Sequence, residues 1–266
     1  MNISIKRSAS IYASFIIFVL VLTGTSHARI DRGTIELLLL FDDGVGNAAR
    51  DSSGNGRDGE LTGGKWVDGK FGKALEFDGA GDQVVIGDYF GIGGADPRTT
   101  VLWFNSDQLI THSWVKWGVA TDTHKYYVRG HDGGGEIWLR IETEGGQHYG
   151  GTNVCDGEWH HLAVVFPDGS DSVKDHLLYV DGVLETTTGG NDVGVDTDNS
   201  VTEVHIGAPL AHHVYANGIM DEIAIFNVAL DEDDINTIMK QGLASALAVG
   251  YKDKLATTWS TVKTLD

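Results

Sequence analysis

The chain has 266 residues with 36 glycines and only three prolines, so its glycine content is about twice the usual share of roughly 7% without any low-complexity block. That balance excludes a disordered linker and assigns the glycines to turns between ordered segments. A formal net charge of −19 disfavours nucleic acid and anionic membrane surfaces, which attract basic proteins, and Cys155, the only cysteine, excludes an intrachain disulfide.

The chain opens as a secretory signal. Lys6 and Arg7 precede an apolar run from Ile11 to Leu22, and Ser26-His27-Ala28 forms a small-x-small cleavage site. The run is shorter than the roughly 20 residues a membrane span needs. Removing residues 1–28 leaves a chain with no expected span, bound for the extracellular space or the periplasm, and carrying a charge near −21. An uncleaved anchor is the alternative.

Strands follow in order. Ile35 to Phe41 is expected to be a buried strand on its apolar residues, which run unbroken from Leu37. Asp51-Ser52-Ser53-Gly54-Asn55-Gly56 begins like a calcium loop, but Thr62 stands where a bidentate Glu is required, so Asx and glycine chemistry explains it better. Ala74–Phe77 and Val84–Ile86 flank Asp78-Gly79-Ala80-Gly81-Asp82 as a hairpin-like connection. Further strands are expected at Val101–Asn105, Ser113–Gly118, Tyr126–Arg129, Glu136–Thr143, near Glu203–Gly207 and at Ile219–Phe226.

The stretch DGEWHHLAVVF…LYVDG contains two more strands. Leu162, Val164 and Phe166 alternate with Trp159, His161, Ala163 and Val165, so both faces are largely apolar and the strand belongs inside a stack of layers. His160 and His161 point to opposite faces, which opposes a shared metal. Asp181-Gly182 is a tight-turn dipeptide. Near the end, Asp231 is a suitable N-cap, Glu232, Asp233 and Asp234 complement the helix dipole, and Ile235, Ile238, Met239 and Leu243 form an apolar helical stripe.

Alternation places Glu136, Trp138, Arg140, Glu142 and Glu144 on one face of their strand and Ile137, Leu139 and Ile141 on the other. A tryptophan amid charges suits a sugar platform, with Trp138, Arg140, Glu142 and Tyr149 as the candidate ligand residues. Gln147, His148 and the loop His124-Lys125-Tyr126-Tyr127 are expected beside them. The competing reading packs Trp138 under a loop on an ordinary solvated sheet face.

Four segments carry a resemblance: LLLLFDDGVGNAARDSSGNGRDGEL, KFGKALEFDGAGDQVVI, DGEWHHLAVVF…LYVDG and NGIMDEIAIFNVALDEDDI. In this order they resemble the laminin G-like jelly rolls of the concanavalin A-like lectin/glucanase superfamily. The resemblance implies an all-β, two-sheet antiparallel jelly-roll sandwich over residues 29–243, one short C-terminal helix, and a tail at 244–266 that includes Trp259. TTVLWFNSD departs from the family's aliphatic-Ala-Trp-Val strand.

The resemblance also implies a structural calcium ion (Ca2+), bound by Asp221 with a backbone carbonyl at Gly79 and others on the strand ending at Phe41. Asp78 and Asp43 are the candidate additional carboxylates. The three-acid strand of related glucanases is not reproduced, since Glu142 and Glu144 run into Gly145-Gly146. The expectation is therefore an exported, non-catalytic module that binds glycans, with a surface protein-interaction module as the alternative and a divergent glycosidase third.

Overall fold

The computed structural model describes residues 30–121, 123–143, 145–210 and 214–248. In chain order the strands are β1 (Ile35–Leu39), β2 (Ala48–Ala49), β3 (Gly59–Thr62), β4 (Lys65–Asp68), β5 (Lys73–Asp78), β6 (Gln83–Ile86), β7 (Arg98–Asn105) and β8 (Ser113–Gly118). They continue with β9 (Lys125–Asp132), β10 (Ile137–Thr143), β11 (Gly146–Tyr149), β12 (Trp159–Phe166), β13 (Leu177–Val180), β14 (Val183–Leu184), β15 (Val204–Ile206) and β16 (Asn217–Phe226). The helix α1 (Glu232–Gln241) follows.

The strands form two antiparallel sheets. One runs β14-β13-β12-β7-β16-β5-β4, with β1 beside the second half of β16; the other runs β11-β10-β9-β8-β15-β6-β3-β2. Period-two alternation builds the core between them. Leu162, Val164 and Phe166 of β12 meet Val115, Val128, Leu139 and Ile141 of the facing sheet. The opposite faces of β12 and β7 are apolar too, because α1 covers them: Ala163, Val165 and Val101 pack with Ile235, Ile238 and Leu243. Asp231 caps this helix by accepting from the Asp234 amide at 2.8 Å.

The doubly apolar β12 and the Asp181-Gly182 turn match the sequence reading. Both turn residues have positive φ, 51° and 75°, as a two-residue type I′ hairpin requires. Asp51 also acts as an Asx anchor, its carboxylate accepting from the Leu38, Ser53 and Arg57 amides and the Ser53 hydroxyl. The segment at 78–82 is a correction. It is no hairpin, because β5 and β6 lie in different sheets and the chain turns a corner between them. Leu75 and Phe77 therefore face Val84 and Ile86 across the core instead of lying beside them.

A further difference lies at the C-terminal boundary. Residues 243–248 are helical, and Ala246 and Leu247 are buried in the same cluster as α1, so packing continues past the expected limit at 243. Residues 1–28, Trp259 and the His212-His213 pair lie outside the described residues. Among those described, no helix is long and apolar enough to cross a membrane. Cys155 is buried, and burial pushes its thiol pKa up to about 12, so it behaves as a small hydrophobe.

Arg98, the first residue of β7, is fully buried. Its guanidinium donates to the carbonyls of Asp96 (2.9 Å), Ile92 (2.7 Å) and Gly94 (2.7 Å) and to the Thr197 hydroxyl (3.2 Å). It also lies between the rings of Tyr126, 5.6 Å away, and Phe166, 5.5 Å away. Burial lowers its pKa to about 10, which still leaves it charged at neutral pH. Lysine cannot reproduce this planar fork. Arg98→Lys should therefore cost about 3 kcal/mol and lower Tm by roughly 6–12 °C in a thermal melt; an unchanged Tm would contradict the assigned role.

Candidate functional site

The outer face of β9, β10 and β11 carries the candidate ligand residues. The register pairs Trp138 with His131, and Arg140 with both Arg129 and Tyr149. Three rings gather as a result. His131 stacks on Tyr149 with centroids 3.9 Å apart and planes 11° apart, while Trp138 lies 6.2 Å from Tyr149 and 5.7 Å from His131. The Trp138 indole N–H donates to Glu136 at 3.2 Å. All three rings are half-buried.

The competing reading of Trp138 describes part of its surroundings. Gly133 lies against the indole so closely that a Cβ there would sit 2.3 Å from the ring. The loop after β9 thus covers one side of Trp138, and any substitution at Gly133 would displace it.

Glu142 is less open than alternation implied. Its side chain is 12% exposed and is held by three cations: Lys125 at 2.6 Å, Arg129 at 3.6 Å, and Arg140 in close contact. Burial raises its pKa, but Arg140, Lys125 and Arg129 outweigh that and hold the carboxyl below its ordinary value. A general acid needs the opposite shift. Glu144 lies outside the described residues.

The structure therefore brings Trp138, Arg140, Glu142 and Tyr149 together. Sequence reasoning missed His131 and Arg129, whose signal was the alternation Lys125, Tyr127, Arg129, His131 along the neighbouring strand. It also took His124–Tyr127 as one groove loop. Lys125 instead begins β9, and Tyr126 turns inward to stack on Trp117 in the core. His148 is likewise buried, between the outward-facing Gln147 and Tyr149.

The residues implied for calcium do not meet. Asp78 pairs with Asn217, four residues along β16 from Asp221 and hence roughly 13 Å away, with Gly79 one residue further. Asp43 lines a cleft of about 540 Å³ with Asp42, Asn47 and Arg50, and accepts from the Arg50 amide at 3.0 Å. Asp221 is fully buried and accepts from the Phe71 amide at 2.9 Å, fastening the turn between β4 and β5; its Oδ1 has no partner. Asp78 and Gly79 thus do not share one cation cage with Asp221. No group of three or more His, Cys, Asp or Glu side chains among the described residues forms one either.

The next residue, Glu222, has φ 48° at a bulge between β16 and β7, and its carboxylate accepts from the Leu243 amide. Adjacent buried acids thus hold two different segments. The paired histidines divide as strand parity requires. His160 bonds Asp181 at 2.8 Å and Asp156 at 3.0 Å, whereas His161 turns to the other face against Trp103, with centroids 5.3 Å apart.

Burial raises the pKa of Asp221 to about 7. The native state thus retains a proton that the unfolded chain releases near pH 4. The associated stability is fully present below that pH and is lost as pH rises through about 7. An asparagine at this position would not titrate, so the Tm of Asp221→Asn relative to wild type should rise between pH 4.5 and 8, by an amount equivalent to at most about 4 kcal/mol. A pH-independent difference in calorimetry would refute the shift.

The family profile described as the concanavalin A-like lectin/glucanases superfamily matches residues 77–236. Curated protein sequences return no match. Among solved structures, domain 4 of AbnA, a GH43 extracellular arabinanase from Geobacillus stearothermophilus in complex with arabinotriose, superposes with a TM-score of 0.59. It is 22% identical over 77% of this chain and 98% of that one. Trypanosoma rangeli sialidase in complex with sialic acid gives a TM-score of 0.54 at 14% identity, covering 78% of this chain but 33% of the enzyme.

Proposed function

The chain belongs to the concanavalin A-like lectin/glucanases superfamily, and from that membership we propose that it is an exported, non-catalytic glycan-binding module. One observation carries the proposal: His131, Trp138 and Tyr149 cluster on an outer sheet face directly beside Arg140. Sugars offer C–H faces to aromatic rings and hydroxyls to polar rims, and this face supplies both. The arabinanase domain supports the reading as a fold-mate of similar extent whose structure holds an oligosaccharide. The low pKa of Glu142 supports binding over acid catalysis. The basic and apolar start of the chain supports export.

A second reading, a surface protein-interaction module, draws on the β13–β14 hairpin, where Val183 and Leu184 are 65% and 47% exposed at a sheet edge. A glycan array followed by calorimetric titration separates the two. The glycan reading expects binding to at least one oligosaccharide class, weakened about tenfold or more by Trp138→Ala, equivalent to about 1.4 kcal/mol. Absence of binding across the array, or binding indifferent to both Trp138→Ala and Tyr149→Ala, would sink it.

A further inference from the structure

The stretch from Asp156 to Gly182 supplies a contact that glycan binding does not use. The ring of His160 lies between two carboxylates, with Nδ1 2.8 Å from Asp181 Oδ2 and Nε2 3.0 Å from Asp156 Oδ1. An ionised carboxylate only accepts, so both ring nitrogens must donate, and a neutral imidazole has one N–H. The geometry therefore requires an imidazolium. Its side chain is 10% exposed, whereas each aspartate side chain is 45% exposed. Solvent thus reaches the anions far better than the cation between them.

The contact joins two turns. Asp181 opens the turn between β13 and β14, and its other oxygen accepts from the His161 amide at 2.9 Å. Asp156 belongs to the turn before β12, where its Oδ1 also accepts from the Glu158 amide at 2.9 Å. The next residue, Gly157, donates to the Ser106 carbonyl at 3.0 Å and accepts from the Asn105 side chain at 2.8 Å. Gly157, Asn105 and Ser106 line a cleft of about 380 Å³. Movement of the Asp156 turn would therefore reshape that cleft.

The hydrogen bond to Asp181, joined by that to Asp156, outweighs burial and raises the pKa of His160 above its ordinary value. The Glu158 amide and His160 hold Asp156 below its own; burial opposes this at Asp181, but His160 and the His161 amide prevail. Further titratable groups lie on each side. Glu158 shares the turn, and a Cβ on Gly157 would lie 4.0 Å from Asp107. The thiol of Cys155, its pKa raised by burial to about 12, is neutral. His112, which stacks on the Cα partner Phe104, accepts from the Asn217 amide and donates to the Gln108 carbonyl, so it is neutral too. His161 is on the opposite face, and burial lowers its pKa to about 4. None of these groups is a cation at neutral pH.

We propose that Asp156, His160 and Asp181 form a pH-sensitive clamp, closed while the imidazolium holds both carboxylates and opened at the Asp156 turn when its proton is lost to solvent. Nε2 gives up that proton, since its contact is the longer of the two. Two acceptors then face each other, and the covered ring gains a new donor only if the turn moves. The stabilisation is complete below the unfolded pKa near 6.5 and is lost as pH rises through the raised folded value.

The test follows the full chain by NMR and amide hydrogen exchange between about pH 5 and 9, a range that spans the ordinary histidine titration. The His160 ring should titrate above 6.5, and Asp156→Asn or Asp181→Asn should lower its titration point. Exchange at residues 153–158, corrected for its intrinsic pH dependence, should quicken about tenfold or more across that titration while the centre of β12 stays protected. This local measurement separates the clamp from Asp221, which titrates near 7 at the turn between β4 and β5. Asp156→Asn should remove the pH dependence at 153–158, and His160→Gln should leave those residues fast at every pH. If His160→Gln does not fold, the Asp156→Asn comparison decides. A ring that titrates at or below 6.5, or exchange at 153–158 that is unaltered across the titration, overturns the proposal.

Discussion

The sandwich depends on how one buried cation is accommodated where the chain crosses from one sheet to the other. Arg98 stands at the end of that crossing and the start of β7, the strand flanked by β12 and β16 at the centre of its sheet. Its fork gathers carbonyls from the 92–96 segment and reaches Thr197 on the long connection before β15. Tyr126 comes from the opposite sheet and Phe166 from its own, so the contacts of one side chain tie both layers and two connections together. Carbonyl dipoles supply the counter-charge, and five donors in a fixed plane satisfy a loop that would otherwise bury unpaired backbone.

The two arginine environments explain each other by contrast. Arg98 is buried deeply but has its hydrogen bonds provided by surrounding carbonyls. Arg129 and Arg140 lie shallower, oppose one another and share a carboxylate, with Nε atoms left over. The first arrangement is complete within the fold.

Most of the architecture was legible because it is written in local alternation. The two apolar faces of β12, the Asp181-Gly182 hairpin and the Asp231 cap each follow from a few neighbouring residues. What was not legible depends on pairing between distant strands. The corner at 78–82 looks like a hairpin locally, and only the partners of β6, namely β3 and β15, reveal the change of sheet. The ring cluster is similar: Trp138 and Tyr149 could be picked from their own strands, but His131 joins them only through the β9–β10 register. Glu142 was placed on the correct face, while its saturation by Lys125, Arg129 and Arg140 depends on side chains from β9 as well as its own strand. Asp221 was read through a resemblance, whereas its hydrogen bond from Phe71 spans 150 positions of sequence.

Asp221 and Glu222 are consecutive, yet one carboxylate holds the turn before β5 and the other holds the start of the helical residues 243–248. The C-terminal segment is therefore wired into the middle of the sheet. A proteolytic cut just after Gly242 would strip Leu243, Ala246 and Leu247 from the cluster around α1 and would also leave Glu222, 4% exposed, without its Leu243 donor. The damage would register at the adjoining bulge and, through Asp221, at the distant turn. For a protein exported as proposed, and so met by extracellular proteases, the residues just past 242 are a point where trimming the end of the chain loosens its centre.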